Sequence, residues 1–310
     1  FDHFPRMAEA NTILERCLEL FAEDKVFQAS RLEKELLSKY PQFHAENADK
    51  LKRVIEMGAE AEKIHAEFAS VDGWTVVRQA KNEHDVGIWF RQEAGSAMHT
   101  FRMEGHLDAA PEYLLVLMNE ITLYGTWLPF IGGSSELSSP SRCERYFWLK
   151  VWSPTPAIIH HRDACIYARA IDGLDEDGCV LVLLRTFADG EDGVAHPKPE
   201  PRTTRVAVKF GACELVPTAQ GKTRVRFLAH VDPKLSVLPA WLINWISTKV
   251  CYLGIRRLES CARKLADKKA DTPHHQRMRD KADFYDWLVH RARSYTPTLP
   301  GVDAAAAAAA

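Results

Sequence analysis

Strand-like segments occur in two consecutive series, and this order constrains the fold more than any other feature of the sequence. Three segments with alternating apolar residues lie within residues 74–107, and five more lie within residues 145–231. A single helical pattern, residues 111–124, separates the two series. Because helices do not alternate with the strands, we predict an α+β fold built on a curved antiparallel sheet of eight strands. The predicted strands are 74–79, 86–92, 98–107, 145–152, 163–171, 179–187, 204–216 and 223–231.

A long helix, predicted over residues 239–265, begins in a stretch that carries no charge from residue 235 to residue 248. A helix on the surface of a soluble protein shows one apolar stripe, whereas Trp241, Leu242 and Trp245 belong to a segment that is apolar on most of its circumference. We predict that one face of this helix packs on the sheet and that the other lines an apolar cavity.

The chain divides into four predicted regions. Residues 1–71 form a helical N-terminal module, whose second helix ends near Tyr40 and Pro41 and whose third helix spans about 47–69. Residues 72–266 form the main domain. Residues 267–303 form a charged linker with a short amphipathic helix around 279–293. Residues 304–310 are seven alanines, which we interpret as placeholder residues.

The composition of the chain argues against some classes of function. A net charge of -2 argues against a dedicated nucleic-acid binder, so no nucleic-acid partner is predicted. The seven cysteines are scattered and form no CxxC pair, which predicts reduced thiols in a reducing intracellular compartment, with cytoplasm and organelle left open. No run reaches the roughly 18 to 20 apolar residues that span a bilayer. The sequence begins at Phe1, which leaves a preceding targeting peptide undecided.

Motifs for catalysis and metal binding are missing from the sequence. The adjacent His160 and His161 would point to opposite faces of a strand, and the pair His274 and His275 has no ligand spacing around it. The patterns GxSxG, GxxxxGK[ST] and GxGxxG do not occur. We therefore predict a protein that is not an enzyme and that has no catalytic residue, no metal and no cofactor.

Three segments resemble a known family. They are HHRDACIYARAIDGLDEDGCVLVLLRTF (160–187), PEYLLVLMNEITLYGTWLPF (111–130) and DPKLSVLPAWLINWISTKV (232–250). They are similar to the Arg-Asp strand, the middle helix and the closing helix of the START (StAR-related lipid-transfer) domains. The resemblance covers about residues 72–266, although loop 189–202 is more acidic and richer in proline than is usual there. It implies a helix-grip fold, in which the sheet wraps around the long C-terminal helix. It also implies that one lipid or sterol is bound in the cavity and transferred between membranes.

Candidate site residues follow from the patterns and the resemblance together. Each face of strand 145–152 carries three apolar or aromatic residues and one basic residue, so the pattern leaves open which face lines the cavity. Arg162, Tyr167 and Arg169 have two interpretations, as partners of a lipid head group or as a structural ion pair. The predicted lipid-binding residues are Trp89, Phe101, Trp127, Trp148, Trp152, Arg162, Tyr167, Arg169, Trp241, Leu242, Asn244 and Trp245.

The expected partners are a lipid ligand, a membrane surface and other proteins. Residues 235–238 are apolar and are predicted to touch the membrane transiently, with Lys234 at the level of the head groups. Protein partners are predicted to bind through residues 1–70 and 279–295. The alternative function is an accessory or scaffold subunit of a larger assembly, with a vestigial or permanently filled cavity.

Overall fold

The computed structural model describes residues 3–82, 84–92, 95–218, 221–235, 239–267 and 269–295, with the backbone alone for residues 3–6. The alanines at 304–310 and most of residues 235–238 lie outside the described residues. The helices are α1 (His3–Ala22), α2 (Val26–Lys39), α3 (Pro41–Glu46), α4 (Ala48–Ala69), α5 (Pro111–Asn119), α6 (Ala240–Trp245), α7 (Leu253–Ala266), α8 (Pro273–Asp280) and α9 (Ala282–Ser294). The strands are β1 (Thr75–Arg78), β2 (Val86–Gln92), β3 (His99–Leu107), β4 (Ile131–Ser141), β5 (Glu144–Val151), β6 (His161–Gly173), β7 (Cys179–Thr186), β8 (Thr203–Arg205), β9 (Ala207–Thr218) and β10 (Lys222–Asp232).

All ten strands belong to one sheet, in the order β1-β2-β3-β10-β9-β7-β6-β5-β4, with the short β8 beside β6. Every pair is antiparallel except β6 with β8, where His161 pairs with Thr203. The predicted α+β class and the antiparallel sheet are confirmed. The predicted turn at Asp177-Gly178 is confirmed as well, because Gly178 joins β6 to β7 with a φ of 65°, which a glycine adopts without strain.

Strand β4 is the largest departure from the prediction, which had placed no strand between 130 and 145. Its sequence IGGSSELSSPS is rich in glycine and serine, so it has little intrinsic strand preference. It forms at the edge of the sheet by pairing with β5. A Cβ on Gly132 would meet the Trp152 ring at 2.9 Å, and one on Gly133 would meet the Trp148 ring at 2.9 Å. The glycines therefore let this edge strand lie under two large rings, which no local pattern reports.

The sheet is covered on both faces, and strand alternation decides which residues lie on each face. On the inner face, α5, α7 and α9 pack against residues such as Met103 and Val225. On the outer face, α2 and α4 pack against residues such as Tyr167 and Leu181. The sequence predicted the N-terminal helices but not that they would cover the outer face. Within the segments predicted to bind partners, α2, α4 and α9 bury apolar residues against the sheet.

The long C-terminal helix changes its winding along its length. Between α6 and α7, residues Ile246–Tyr252 form a π-helical segment, so the helix continues from Ala240 to Ala266 with one wider section. π-helical insertions are frequent at functional sites, and an apolar periodicity does not reveal them. No described helix is long and apolar enough to cross a membrane.

Candidate functional site

The described residues enclose two cavities on the inner face of the sheet that bear on function. The first, which we call the helix cavity, has a volume of about 280 Å³ and lies between the sheet and the segment α6 with its π turn. The second, the C-terminal cavity, has a volume of about 160 Å³ and lies between β5–β7, α5 and α9. Leu149, Ala164 and Ile166 belong to a packed group on the inner face between them and line neither cavity.

The helix cavity brings together five of the twelve predicted site residues. Phe101 comes from β3, and its ring packs 5.1 Å from that of Phe90. Leu242 and Trp245 lie on α6, four and one residues before Ile246 in the π segment. The other two predicted residues in its wall are Trp152, directly after β5, and Arg162, at the start of β6.

The other wall residues of the helix cavity lie outside the twelve predicted site residues. The strand pattern could have revealed His99, because it lies two residues before Phe101 and shares its face. The helix pattern does not reveal Val250, because the π segment sets which residues turn inward. The other apolar residues of this wall outside the twelve are Val151, Pro154, Ile159, Val206, Val231, Pro233, Leu235 and Ile246, of which the sequence had already indicated Ile246 as part of the apolar helix face.

Tyr167 and Arg169 lie on the outer face, so they line neither cavity. Arg169 is 3% exposed, and its guanidinium lies 3.5 Å from Asp24 and 3.4 Å from Glu144. The Tyr167 hydroxyl donates a hydrogen bond of 2.5 Å to Glu144. Arg53 of α4 also pairs with Glu144. Burial alone would raise the pKa of Glu144, but the Tyr167 hydroxyl, Arg169 and Arg53 together hold that pKa below its usual value.

This buried network joins the N-terminal helices to the sheet. Arg169 also donates to the Phe21 carbonyl of α1 at 3.0 Å and lies over the Phe21 ring. Of the two interpretations of Tyr167 and Arg169, the geometry therefore matches the structural ion pair. The same alternation that puts odd-numbered residues of β6 on the outer face puts Arg162 on the inner face.

The other five predicted residues also lie outside both cavities. Trp89 and Trp148 are on the outer face, where Trp89 lies under the Arg102 guanidinium and Trp148 donates to Asp163 at 2.8 Å. Trp127 is buried in the core of the inner face against Tyr124. On α6, Trp241 and Asn244 turn to solvent, because Leu242 and Trp245 occupy the cavity side.

Charged groups around the C-terminal cavity are paired within the chain. Arg291 of α9 contacts both oxygens of Asp172, at 2.6 and 2.9 Å. Arg142 pairs with Asp24 at 2.9 Å. Phe284 and Trp287 of α9 complete the wall. This cavity is thus a gap left where α9 docks on the sheet, with its polar rim satisfied.

One trio of metal-ligating side chains lies on the outer face. The ligand atoms of His65, Cys179 and Glu214 all lie within 4.8 Å of one another. Arg226, however, contacts both carboxylate oxygens of Glu214, at 2.5 and 2.6 Å. Burial also raises the pKa of the Cys179 thiol, which keeps it protonated. This arrangement suits an ion pair and a buried thiol better than a cation.

Comparison with known proteins gives matches in structure alone. No protein-family model matches the sequence, and no curated protein matches it significantly. Human StAR-related lipid transfer protein 5 has a similar structure, with a TM-score of 0.57 and 18% identity, over 70% of this chain and 100% of that one. Human STARD10 is similar with a TM-score of 0.56 and 15% identity, over 77% of this chain and 89% of that one. The ten-stranded sheet around a long C-terminal helix and these matches together identify the helix-grip fold of the START domains in this chain.

Proposed function

We propose that this protein binds a single lipid molecule in the helix cavity and carries it between membranes without chemically changing it. The observation that carries the proposal is a 280 Å³ cavity with a largely apolar wall, placed between the sheet and the first turns of the long helix. Each CH₂ group that leaves water for such a wall contributes roughly 0.8 kcal/mol, so one buried chain supplies a large driving force.

The surroundings of the helix cavity support contact with a membrane. Trp152, in the cavity wall, is 44% exposed, and Trp241, beside the wall residue Leu242, is 49% exposed. Ile158, next to the wall residue Ile159, is 82% exposed. Tryptophan is favoured at the interface between lipid and water, because its ring is apolar while its N–H reaches the head groups. These three exposed side chains would rest on the bilayer while the ligand enters.

The fold matches support the same function by analogy. One of the two human proteins is named as a lipid transfer protein, and the other is STARD10. The ligand of either protein is not transferred to this chain. At 18% and 15% identity, the analogy extends to the architecture, so the ligand of this chain must be argued from its own cavity.

A cavity-filling variant tests the proposal. Val250→Trp places a large side chain in the helix cavity, whereas Lys249→Trp places the same side chain on the exposed neighbouring position. Transfer of fluorescent lipids from donor to acceptor liposomes should fall by about tenfold or more in Val250→Trp, because a filled cavity has no space for the ligand. Lys249→Trp should keep the transfer rate of the parent protein.

Circular dichroism would establish that both variants are folded. Equal transfer by the two tryptophan variants would show that the helix cavity does not carry the lipid. Lack of transfer of every sterol, phospholipid and fatty acid by the folded parent protein would refute the proposed function.

A further inference from the structure

The helix cavity presents almost only apolar surface to an occupant. Side chains of the strands and of the long helix both contribute to this surface, among them Phe101, Val231, Leu242, Ile246 and Val250. Such a surface attracts any hydrocarbon that leaves water, but it does not orient a polar group. Selection at this wall therefore rests on the volume and the charge of the ligand.

Two polar residues of the described wall are shielded or paired within the chain. His99 is 1% exposed, and both of its ring nitrogens are inaccessible to solvent, while the ring stacks on Phe90. The Ser153 hydroxyl accepts a hydrogen bond from the Thr155 N–H at 3.2 Å. Neither side chain is therefore available to recognise a head group.

The other two polar residues of the described wall are Arg162 and His160. The Arg162 Nε donates to the Pro233 carbonyl at 2.9 Å, and one Nη donates to the carbonyls of His160 and His161. Backbone groups thus fix the guanidinium from two of its nitrogens. The His160 residue itself is exposed to solvent. In the described part of the wall, the interior of the cavity is left to apolar side chains.

The size of the helix cavity limits the length of the chain that it can hold. An apolar cavity of roughly 150 Å³ holds one benzene ring, so a volume of about 280 Å³ has room for about twelve carbon atoms. Leu149, Ala164 and Ile166 pack together beyond it, so a longer chain meets filled space before it reaches the C-terminal cavity. A sterol or a phospholipid with two acyl chains is larger than this volume.

A chain that fills the cavity brings its head group against the same apolar wall. A charged head group there loses part of its water and gains no counter-charge from the apolar side chains around it. Burial of an unpaired charge costs far more than burial of a hydroxyl or an ester. On one and the same chain, an uncharged head group is therefore favoured over an ionised one.

Resting on the proposed function, we propose that the ligand of the helix cavity is an uncharged lipid with a single hydrocarbon chain of about twelve carbons, selected by the length of that chain. Affinity then rises by about fourfold for each CH₂ group until the cavity is full. Longer chains gain no further affinity, because their additional carbons stay outside the wall. A fatty acid still binds through its chain, but more weakly than the alcohol of the same length.

A series of straight-chain alcohols tests the length limit. Trp152 and Trp245 lie in the cavity wall, so tryptophan fluorescence can follow binding of octanol, decanol, dodecanol, tetradecanol and hexadecanol to the full chain, each below its solubility limit. The affinity should increase up to about dodecanol and then stay constant. Dodecanoate, at a pH where it is ionised, should bind at least about tenfold more weakly than dodecanol. Fluorescent cholesterol and phosphatidylcholine should not be transferred between liposomes.

Variants of Val250 assign both properties to the helix cavity. Val250→Ala enlarges the cavity and should extend the length limit by about two CH₂ groups. Val71→Ala makes the same change at a residue that is 83% exposed, and it should leave the limit unchanged. Val250→Lys supplies a cation and should reduce the preference for dodecanol over dodecanoate by about tenfold. Val250→Met, with a long uncharged side chain, should keep that preference. Circular dichroism would establish that the variants are folded.

Several outcomes would overturn the inference while the proposed function stands. They are an affinity that keeps rising through hexadecanol, equal binding of dodecanoate and dodecanol, and a length limit or a charge preference that the Val250 variants leave unchanged. Transfer of cholesterol or phosphatidylcholine that falls in Val250→Trp would also overturn it, because the cavity would then hold a larger lipid. If the folded protein binds none of the alcohols and transfers no lipid, the proposed function itself fails, and the inference fails with it.

Discussion

Replacing Arg169 by leucine should destabilise the fold and leave the choice of ligand unchanged. Arg169, Asp24 and Glu144 are 3%, 2% and 5% exposed. Each of these buried charges is therefore stabilised by the opposite charge beside it and hardly by water. Removal of one partner from a buried ion pair costs about 3–5 kcal/mol, because the remaining charge stays buried. Asp24 retains Arg142, and Glu144 retains Arg53 and the Tyr167 hydroxyl. We therefore expect the lower end of that range, about 3 kcal/mol.

Thermal unfolding followed by circular dichroism measures this loss. For domains of about 150–250 residues 1 kcal/mol corresponds to a shift of about 2–4 °C, and the shift becomes smaller in longer chains, so the midpoint should fall by about 6 °C. Arg224→Leu, which removes a charge on β10 that has no described ion pair, should shift it by less than about 2 °C. Hydrogen exchange should become faster first at α1 and α2, since Arg169 contacts Phe21 at the end of α1 and Asp24 in the turn between α1 and α2.

The opposite pattern would refute this reasoning. Suppose that Arg169→Leu keeps the melting temperature of the parent protein but loses its preference among head groups. Arg169 would then bind the ligand, and its contacts with Asp24 and Glu144 would not stabilise the fold. A loss of stability with an unchanged head-group preference, measured at a temperature where both proteins are folded, matches the geometry.

Three further predictions concern the membrane surface, the thiols and the pH dependence of stability. Trp241→Ser should weaken association with liposomes and slow lipid transfer without changing the affinity for a soluble ligand. The control Leu37→Ser removes another exposed apolar side chain, the 47% exposed Leu37 of α2, and should change neither liposome association nor transfer. Equal effects of the two variants in co-sedimentation with liposomes would contradict a membrane role for Trp241. Burial raises the pKa of the Cys251 thiol to about 12. Labelling with a thiol reagent should therefore be slow at Cys251 in the folded protein and faster at the partly exposed Cys261. Rapid labelling of Cys251 would contradict its buried position. Burial acts to raise the pKa of Asp85, but hydrogen bonds from Arg78 and two backbone N–H groups lower it from 3.8 to about 2. The stabilisation by the ionised Asp85 carboxylate should be complete above about pH 4 and lost as the pH falls through about 2. The difference in unfolding free energy between the parent protein and Asp85→Asn should therefore vanish over that interval. A difference that stays constant with pH would contradict the ion pair with Arg78.

The architecture was largely predictable from the sequence, because hydrophobic periodicity is a local property. Alternation in VGIWFRQ identified β2, the continuous apolar run of CVLVLLRT identified β7, and Pro111 marked the start of α5. The order of these elements was enough to predict an antiparallel sheet with a long closing helix. Strand β4 escaped prediction, because a glycine- and serine-rich edge strand forms through its neighbour and not through its own preference.

The candidate site was predictable only in part. The sequence alone determined that residues 235–248 are too apolar for a helix with one buried face, and it identified Leu242, Trp245 and Phe101 as wall residues. In the structure Arg162 and Arg169 are seven positions apart on β6, so their side chains point to opposite faces. Which of these faces is the cavity depends on what covers each side of the sheet. Only the tertiary structure decided this, because α2 and α4 pack on the outer face and the turn before α2 supplies Asp24 to Arg169, while the helix cavity opens on the inner face beside Arg162.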